Sequence, residues 1–314
     1  MLTRELPFSS LALREEMRSS DGTVKALLAT ADGRALEAVL MRYRDTRSRG
    51  LARRSICLSS QSGCPLSCTF CATGQMKFAR NLTASEILDQ ALHFHRIELP
   101  RPGDVAAGGD RSRARARAGG LTNCVFMGMG EPMLNIENVL AACERLPDLG
   151  IGHRHIAIST VGWIPGIERL GEQEMPLRLA LSLHAADEAL RSQLMAVNDR
   201  YALRDVIEAC HAFYARKRRR VFVEYVMLKG VNDRYEQALE LARVLAARRA
   251  GERSIFKVNL IPYNPTDSPY EGSTRTSIAA FRDALLAHQI PATIRLTRGR
   301  EIDAACGQLA AGAA

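Results

Sequence analysis

From residue 55 onward, short apolar runs alternate with longer segments whose apolar residues recur at helical spacing, the pattern of repeated βα units. It predicts strands over 55–60, 122–127, 155–160, 177–183, 221–227 and 255–261. Helices are predicted over 83–98, 136–146, 205–215, 234–249 and 276–288, the first opening on Thr83 with Glu86 three residues later, a capping-box signature. Such an α/β chain builds a six-stranded partial (β/α) barrel, whose functional groups gather at the C-terminal ends of the strands. Residues 1–45 break this rhythm; 24–30 and 35–42, around Asp32-Gly33, read as a hairpin. The expected organisation is an N-terminal β-rich extension (1–50), a core (51–309) and a tail (310–314). A Gly/Pro-rich stretch at 100–120, carrying Arg111, Arg113, Arg115 and Arg117, reads as a mobile insertion, either a solvated loop or an RNA-contacting arm.

Composition adds three constraints. With 314 residues, 46% of them hydrophobic, the chain can bury one large core. A formal charge of +9 favours a polyanionic partner. No apolar run is long enough for a membrane span and the first residues lack an apolar signal core, so a cytoplasmic protein with no membrane partner is expected. In a chain this large, eight cysteines are better read as ligands, reactants or core fillers than as a disulfide framework.

Three of those cysteines, Cys64, Cys68 and Cys71, lie within eight residues directly after the first predicted βα strand. A CxxxCxxC loop can ligate three irons of a 4Fe-4S cluster and leave the fourth open to the amino and carboxylate groups of S-adenosylmethionine. Zinc is the competing metal, but structural zinc takes four ligands, and no fourth Cys or His follows at short spacing. After the second strand comes Met127-Gly-Met-Gly-Glu-Pro132, in which Gly130 permits close backbone approach and Glu131 can accept from an ammonium. Later strands end in Ser159, in Ser182-Leu183-His184 and in Asn264, groups suited to a cofactor's ribose, carboxylate and adenine, and equally to caps and turns. Cys57 and Cys306 lie apart from the loop and on composition alone could be inert core thiols, the reading kept for Cys124, Cys143 and Cys210.

Taken together, RISCLSSQSGCPLSCTFCATGQ, GMGEP, ISTVG, SLH, IPYNP and IDAACGQL resemble the RlmN/Cfr family of radical S-adenosylmethionine RNA methyltransferases, over about residues 51–309. The resemblance implies that Cys306 carries a methyl group and that Cys57 removes a ring proton and resolves the RNA adduct through a transient Cys57–Cys306 disulfide. Two molecules of S-adenosylmethionine would be used per turnover, at carbon 2 of adenosine in 23S rRNA and possibly tRNA. Glu37 matches the family's suggested proton acceptor. An electron donor such as flavodoxin or ferredoxin is implied as a partner. Carbon 8 methylation, as in antibiotic-resistance members, and a radical enzyme acting on a non-RNA substrate are the alternatives, with a non-enzymatic RNA-binding or electron-transfer paralogue as a third. The N-terminal segment is shorter than the accessory domain usual in members that form 2-methyladenosine. Arg53-Arg54, Arg216–Arg220 and Arg248-Arg249 could neutralise phosphates or simply face solvent. At 5% aromatic content there is no evident stacking platform for bases.

Overall fold

The computed structural model describes residues 9–43, 53–99, 120–247 and 252–310. Three antiparallel strands come first, β1 (Leu11–Arg18), β2 (Val24–Thr30) and β3 (Ala35–Tyr43). Then follow β4 (Arg53–Cys57), the two-residue strands β5 (Gln61–Ser62) and β6 (Arg80–Asn81), β7 (Asn123–Phe126), β8 (Ile156–Thr160), β9 (Arg178–Ser182), β10 (Val221–Met227), β11 (Phe256–Pro262) and β12 (Ala292–Ile294). The main sheet runs β1-β2-β3-β4-β7-β8-β9-β10-β11-β12; β4 meets β3 antiparallel, and from β4 to β12 every pairing is parallel. The helices are α1 (Ala72–Gln75), α2 (Ala84–Glu98), α3 (Ile136–Arg145), α4 (Ile164–Glu172), α5 (Glu188–Leu194), α6 (Leu203–Lys217), α7 (Tyr235–Val244) and α8 (Arg275–Ala287).

The period-two pleat of the strands separates core from site. On β10, Val221, Val223, Tyr225 and Met227 are buried in the hydrophobic core, while Phe222, Glu224 and Val226 line cavities. On β11 the same division puts Phe256, Val258 and Leu260 in the core, and Lys257, Asn259 and Ile261 on the cavity side. Arg53 and Ser55 of β4 share an open cavity of about 1210 Å³ with Thr293 of β12 and the following Arg295. The parallel sheet therefore curls until its two flanks face one lumen, as a partial barrel requires.

The capping box at Thr83 is present: its hydroxyl accepts from Glu86 N at 3.2 Å and the Glu86 carboxylate accepts from Thr83 N at 2.9 Å. Ile87, Ala91 and Phe94 bury one face of α2. Glu98, at its other end, is clamped by Arg42 at 2.6 Å and Arg54 at 2.5 Å, so Arg54 serves the N-terminal strands rather than solvent.

Several elements differ from expectation. The parallel set has seven strands, because β12 joins β11 with only three residues, too few for an alternation to register. Helix α4, which carries Pro165, Gly166 and Gly171, is absent from the predicted helices, yet Gly166 is needed where it packs: an added Cβ would lie 2.3 Å from Met133 Cβ. Helix α5 has seven residues, and Asp187 caps it by accepting from Leu190 N. Helix α7 ends at Val244, short of the expected 249. Residues 100–119, with the four arginines of the insertion, and Arg248-Arg249 lie outside the described residues. No helix among the described residues is long and apolar enough to cross a membrane.

Candidate active site

Strand β4 delivers Cys57 and leads into the cysteine loop, whose base is pinned by the β5–β6 pairing. Gly63 enters the loop at φ +74°, and a Cβ there would sit 2.4 Å from Lys77 O, so only glycine fits. Within the loop, Cys71 N donates to Cys68 O at 3.2 Å, and α1 then starts at Ala72. Cys68 is buried, and Cys64 and Cys71 are half-buried. Burial pushes the Cys64 thiol up to about 12, with Cys71 and Glu131 adding repulsion. It raises Cys68 well above the ordinary thiol value, and Cys71 as well. As bare thiolates these three groups destabilise one another; a multi-iron centre, which gives each thiolate its own cation, suits the set. Among the described residues, no three His, Cys, Asp or Glu side chains gather as they would around a single metal ion.

Beside the loop opens a cleft of about 760 Å³, lined by Cys71, Gly130, Glu131, Ser159, Ser182 and His184 among others. Gly130 has φ +95°, and a Cβ would meet Gln61 Cβ at 2.5 Å. Gln61 in turn accepts from Glu131 N at 2.8 Å, which fixes the glutamate. The buried Glu131 carboxylate accepts from Met133 N and Val161 N, both at 3.0 Å, yet desolvation dominates and raises its pKa to about 7. Lone pairs remain for an incoming cation. Ser159 and Ser182 hydroxyls lie 3.2 Å apart.

His184 is held at φ +59°, and its Nδ1 accepts from Val226 N at 3.0 Å. The ring proton is therefore on Nε2, and burial, helped by Arg191, lowers the pKa to about 3, so the ring stays neutral. A buried acceptor carboxylate, paired hydroxyls, a neutral imidazole and the apolar Phe70, Val161 and Val226, all next to three thiols, fit the amino-acid and nucleoside parts of S-adenosylmethionine.

A second cavity of about 490 Å³ adjoins the first and contains Cys57, Cys306, Asn264 and Arg295. Cys306, Arg295, Met127 and Ile261 line both, so the Cys306 thiol stands at their junction. Burial pushes Cys57 up to about 12; the nearby Cys306 adds to this and Arg295 opposes it. The Arg295 guanidinium, 3.5 Å from Glu224, is itself held protonated chiefly by Cys306. All eight cysteines are free, so no Cys57–Cys306 bond is present.

Not every expected residue reaches the cofactor cleft. Asn264 lies in the second cavity, where its Nδ2 donates to Cys306 O at 3.1 Å and its buried Oδ1 has no partner. The Leu183 side chain belongs to the core, and its backbone N donates to Glu224 O. Glu37 is buried on β3, ion-paired to Lys25 at 3.1 Å, and lines neither cavity. Cys124, Cys143 and Cys210 are buried core thiols with raised pKa values, as expected. The 216–220 run precedes β10 and so lies at the opposite end of the strands from Cys306. Nothing in the sequence singles out Arg295: it follows the short β12, and only the fold brings it to the two thiols.

Residues 58–242 match the family described as "Radical SAM superfamily". Over 98% of this chain, the sequence is 43% identical to the "Probable dual-specificity RNA methyltransferase RlmN" of Chloroflexus aurantiacus, covering 78% of that protein. A counterpart in Thermus thermophilus is 41% identical over 98% of this chain and 80% of its own length. A crystal structure of a radical SAM methyltransferase from Sphaerobacter thermophilus superposes with a TM-score of 0.85 at 40% identity, over 99% of this chain and 84% of that one. The cysteine loop, the two joined cavities and these likenesses agree: the chain belongs to the radical SAM superfamily and, within it, to the RlmN family of RNA methyltransferases.

Proposed function

We propose that this enzyme methylates carbon 2 of adenosine in 23S rRNA through a methylcysteine at Cys306, using two molecules of S-adenosylmethionine per turnover. The carrying observation is the place of Cys306 at the junction of the two cavities, with Cys57 and Arg295 beside it. The dual specificity named for its relatives extends the proposal to tRNA. Cys64, Cys68 and Cys71 would hold the 4Fe-4S cluster, and Gly130, Glu131, Ser159, Ser182 and His184 would seat S-adenosylmethionine. When bound, that pair supplies a 5'-deoxyadenosyl radical.

The chain's own residues do the rest. Adenine ring carbons flanked by nitrogen are poor nucleophiles, so the methyl group is first taken by the Cys306 thiolate. After a hydrogen atom is removed from that methyl group, the carbon radical joins the ring, and the adduct would return one electron to the oxidised cluster held at Cys64, Cys68 and Cys71, leaving RNA bound to Cys306. The Cys57 thiolate then takes the ring proton; as that proton passes on to the bridging carbon, the freed Cys57 thiolate attacks the Cys306 sulfur and the carbon–sulfur bond breaks, releasing methylated RNA and leaving a Cys57–Cys306 disulfide for an external two-electron reductant to open. Glu37 is left out of this sequence, because Lys25 and the Ala310 N–H engage both its oxygens. Residues 51–309 form the catalytic core in this reading, with 1–50 as an extension and 310–314 as a tail. A flavodoxin- or ferredoxin-type donor serves the cluster, and the work is done in the cytoplasm.

Mass spectrometry of nucleosides from RNA treated with the enzyme tests the reading: 2-methyladenosine is expected, 8-methyladenosine would move the product to the other ring carbon, and no methyladenosine would refute both. Cys306→Ala should abolish transfer while leaving cluster iron unchanged; retained transfer would remove the carrier role.

A further inference from the structure

We propose that the buried Lys25–Glu37 pair is a latch that fixes the C-terminal loop carrying Cys306, making Glu37 a positioning residue. Lys25 on β2 and Glu37 on β3 are diagonal neighbours, since Glu37 pairs in register with Leu27. Their charged groups lie 3.1 Å apart, with 7% and 3% side-chain exposure. Each also reaches one end of the same loop. Lys25 Nζ donates to Asp303 O at 3.4 Å, and Glu37 Oε2 accepts from Ala310 N at 2.9 Å. Cys306 lies between those two anchors.

The loop needs holding. Asp303 is in the left-handed region at φ +48°, Gly307 has φ +87°, and only the three-residue turn Arg300–Ile302 gives the segment regular structure. Inside the loop, Gln308 accepts from Ala305 N and donates to Pro265 O, and Thr73 Oγ1 donates to Leu309 O at 2.6 Å. Gln308 also donates to Asp303 Oδ1 at 3.2 Å and closes the loop on itself, but none of these contacts fastens both ends to the β2–β3 hairpin; the ion pair does. A buried ion pair adds little stability over a well-packed apolar pair of the same size, so stability alone gives no reason for charges here. What an apolar pair cannot do is bind one backbone carbonyl and one backbone N–H.

The catalytic consequence rests on Cys306 being the methyl carrier; the latch itself does not. The test is amide hydrogen exchange on the full chain carrying Lys25→Met with Glu37→Met, an apolar replacement of similar volume. Exchange in 303–310 should rise at least tenfold while β10 amides keep wild-type protection. Methyl transfer should fall at least tenfold in kcat with KM for RNA unchanged, and Lys25→Arg should restore both. Wild-type protection of 303–310 in the double variant would overturn the latch, and lost transfer with that protection intact would assign Glu37 to proton transfer instead. If β10 also loses protection, Glu37→Gln decides, because glutamine can still accept from Ala310 N: faster exchange on the Asp303 side alone supports the latch, and no change refutes it. Cys306→Ala separates the two ideas, since it should stop transfer and leave 303–310 protected.

Discussion

His184 gives a sharp prediction about acid stability. Its folded pKa is lowered from 6.5 to about 3, by burial first and by Arg191 second. Between those values the unfolded chain binds a proton that the folded chain refuses, so stability falls as pH drops below 6.5 and is fully present above it. At about 1.4 kcal/mol per pH unit the whole window is worth at most about 5 kcal/mol, and the step from pH 6.5 to pH 5 about 2 kcal/mol. For a chain of this size that step corresponds to a fall in Tm of about 3 °C.

The comparison variant is His184→Asn. Asparagine tolerates the left-handed backbone at this position and can still accept from Val226 N, but does not titrate. Thermal unfolding of both proteins at pH 7 and pH 5 should show the wild type losing about 2 kcal/mol more than the variant. Equal losses would mean that His184 takes up a proton while folded, and would refute a neutral imidazole beside the cofactor cleft.

Gly130→Ala combines left-handed strain, a clash with Gln61 and loss of the Gln61–Glu131 N contact, together about 2–4 kcal/mol; calorimetric S-adenosylmethionine affinity should drop at least tenfold with cluster iron retained. Arg295→Met leaves the buried Glu224 carboxylate without the cation 3.5 Å away, so denaturant unfolding should show a loss of about 3 kcal/mol, and an unchanged midpoint would refute the pairing. Cys57→Ala should trap RNA on the protein, seen as a covalent band on denaturing gels, because nothing remains to take the ring proton; rapid product release would count against its resolving role.

How much of this was legible depended on whether chemistry is written locally. The cysteine loop is, because three ligands of one centre fall within eight residues, and so is the Thr83 cap. The βα rhythm showed six of the seven parallel strands and lost β12, where three residues carry no period. Helix α4 was lost because Pro165 and two glycines read as breakers, whereas Gly166 is required by contact with Met133. Strand-end position brought Ser159, Ser182 and His184 to the cleft, but Asn264 went to the neighbouring cavity, a difference of side-chain direction that spacing does not encode. Arg295 and Lys25 are ordinary cations in the sequence; their partners lie 11 and 12 residues away, and only the fold shows which neighbours they meet.

The linear order of the main sheet leaves β1 at its rim, with no outer partner among the described residues. An open strand edge is a template on which another chain can add a strand and begin aggregation. Two features of β1 work against that: Arg14, Glu15, Glu16 and Arg18 crowd charge into its eight residues, and a register shift between Leu13 and Glu15 breaks its regular ladder. Replacing the charges with valine or threonine would turn this rim into a sticky one, and the first symptom would be lost solubility during expression, with the chemistry of each surviving monomer unchanged.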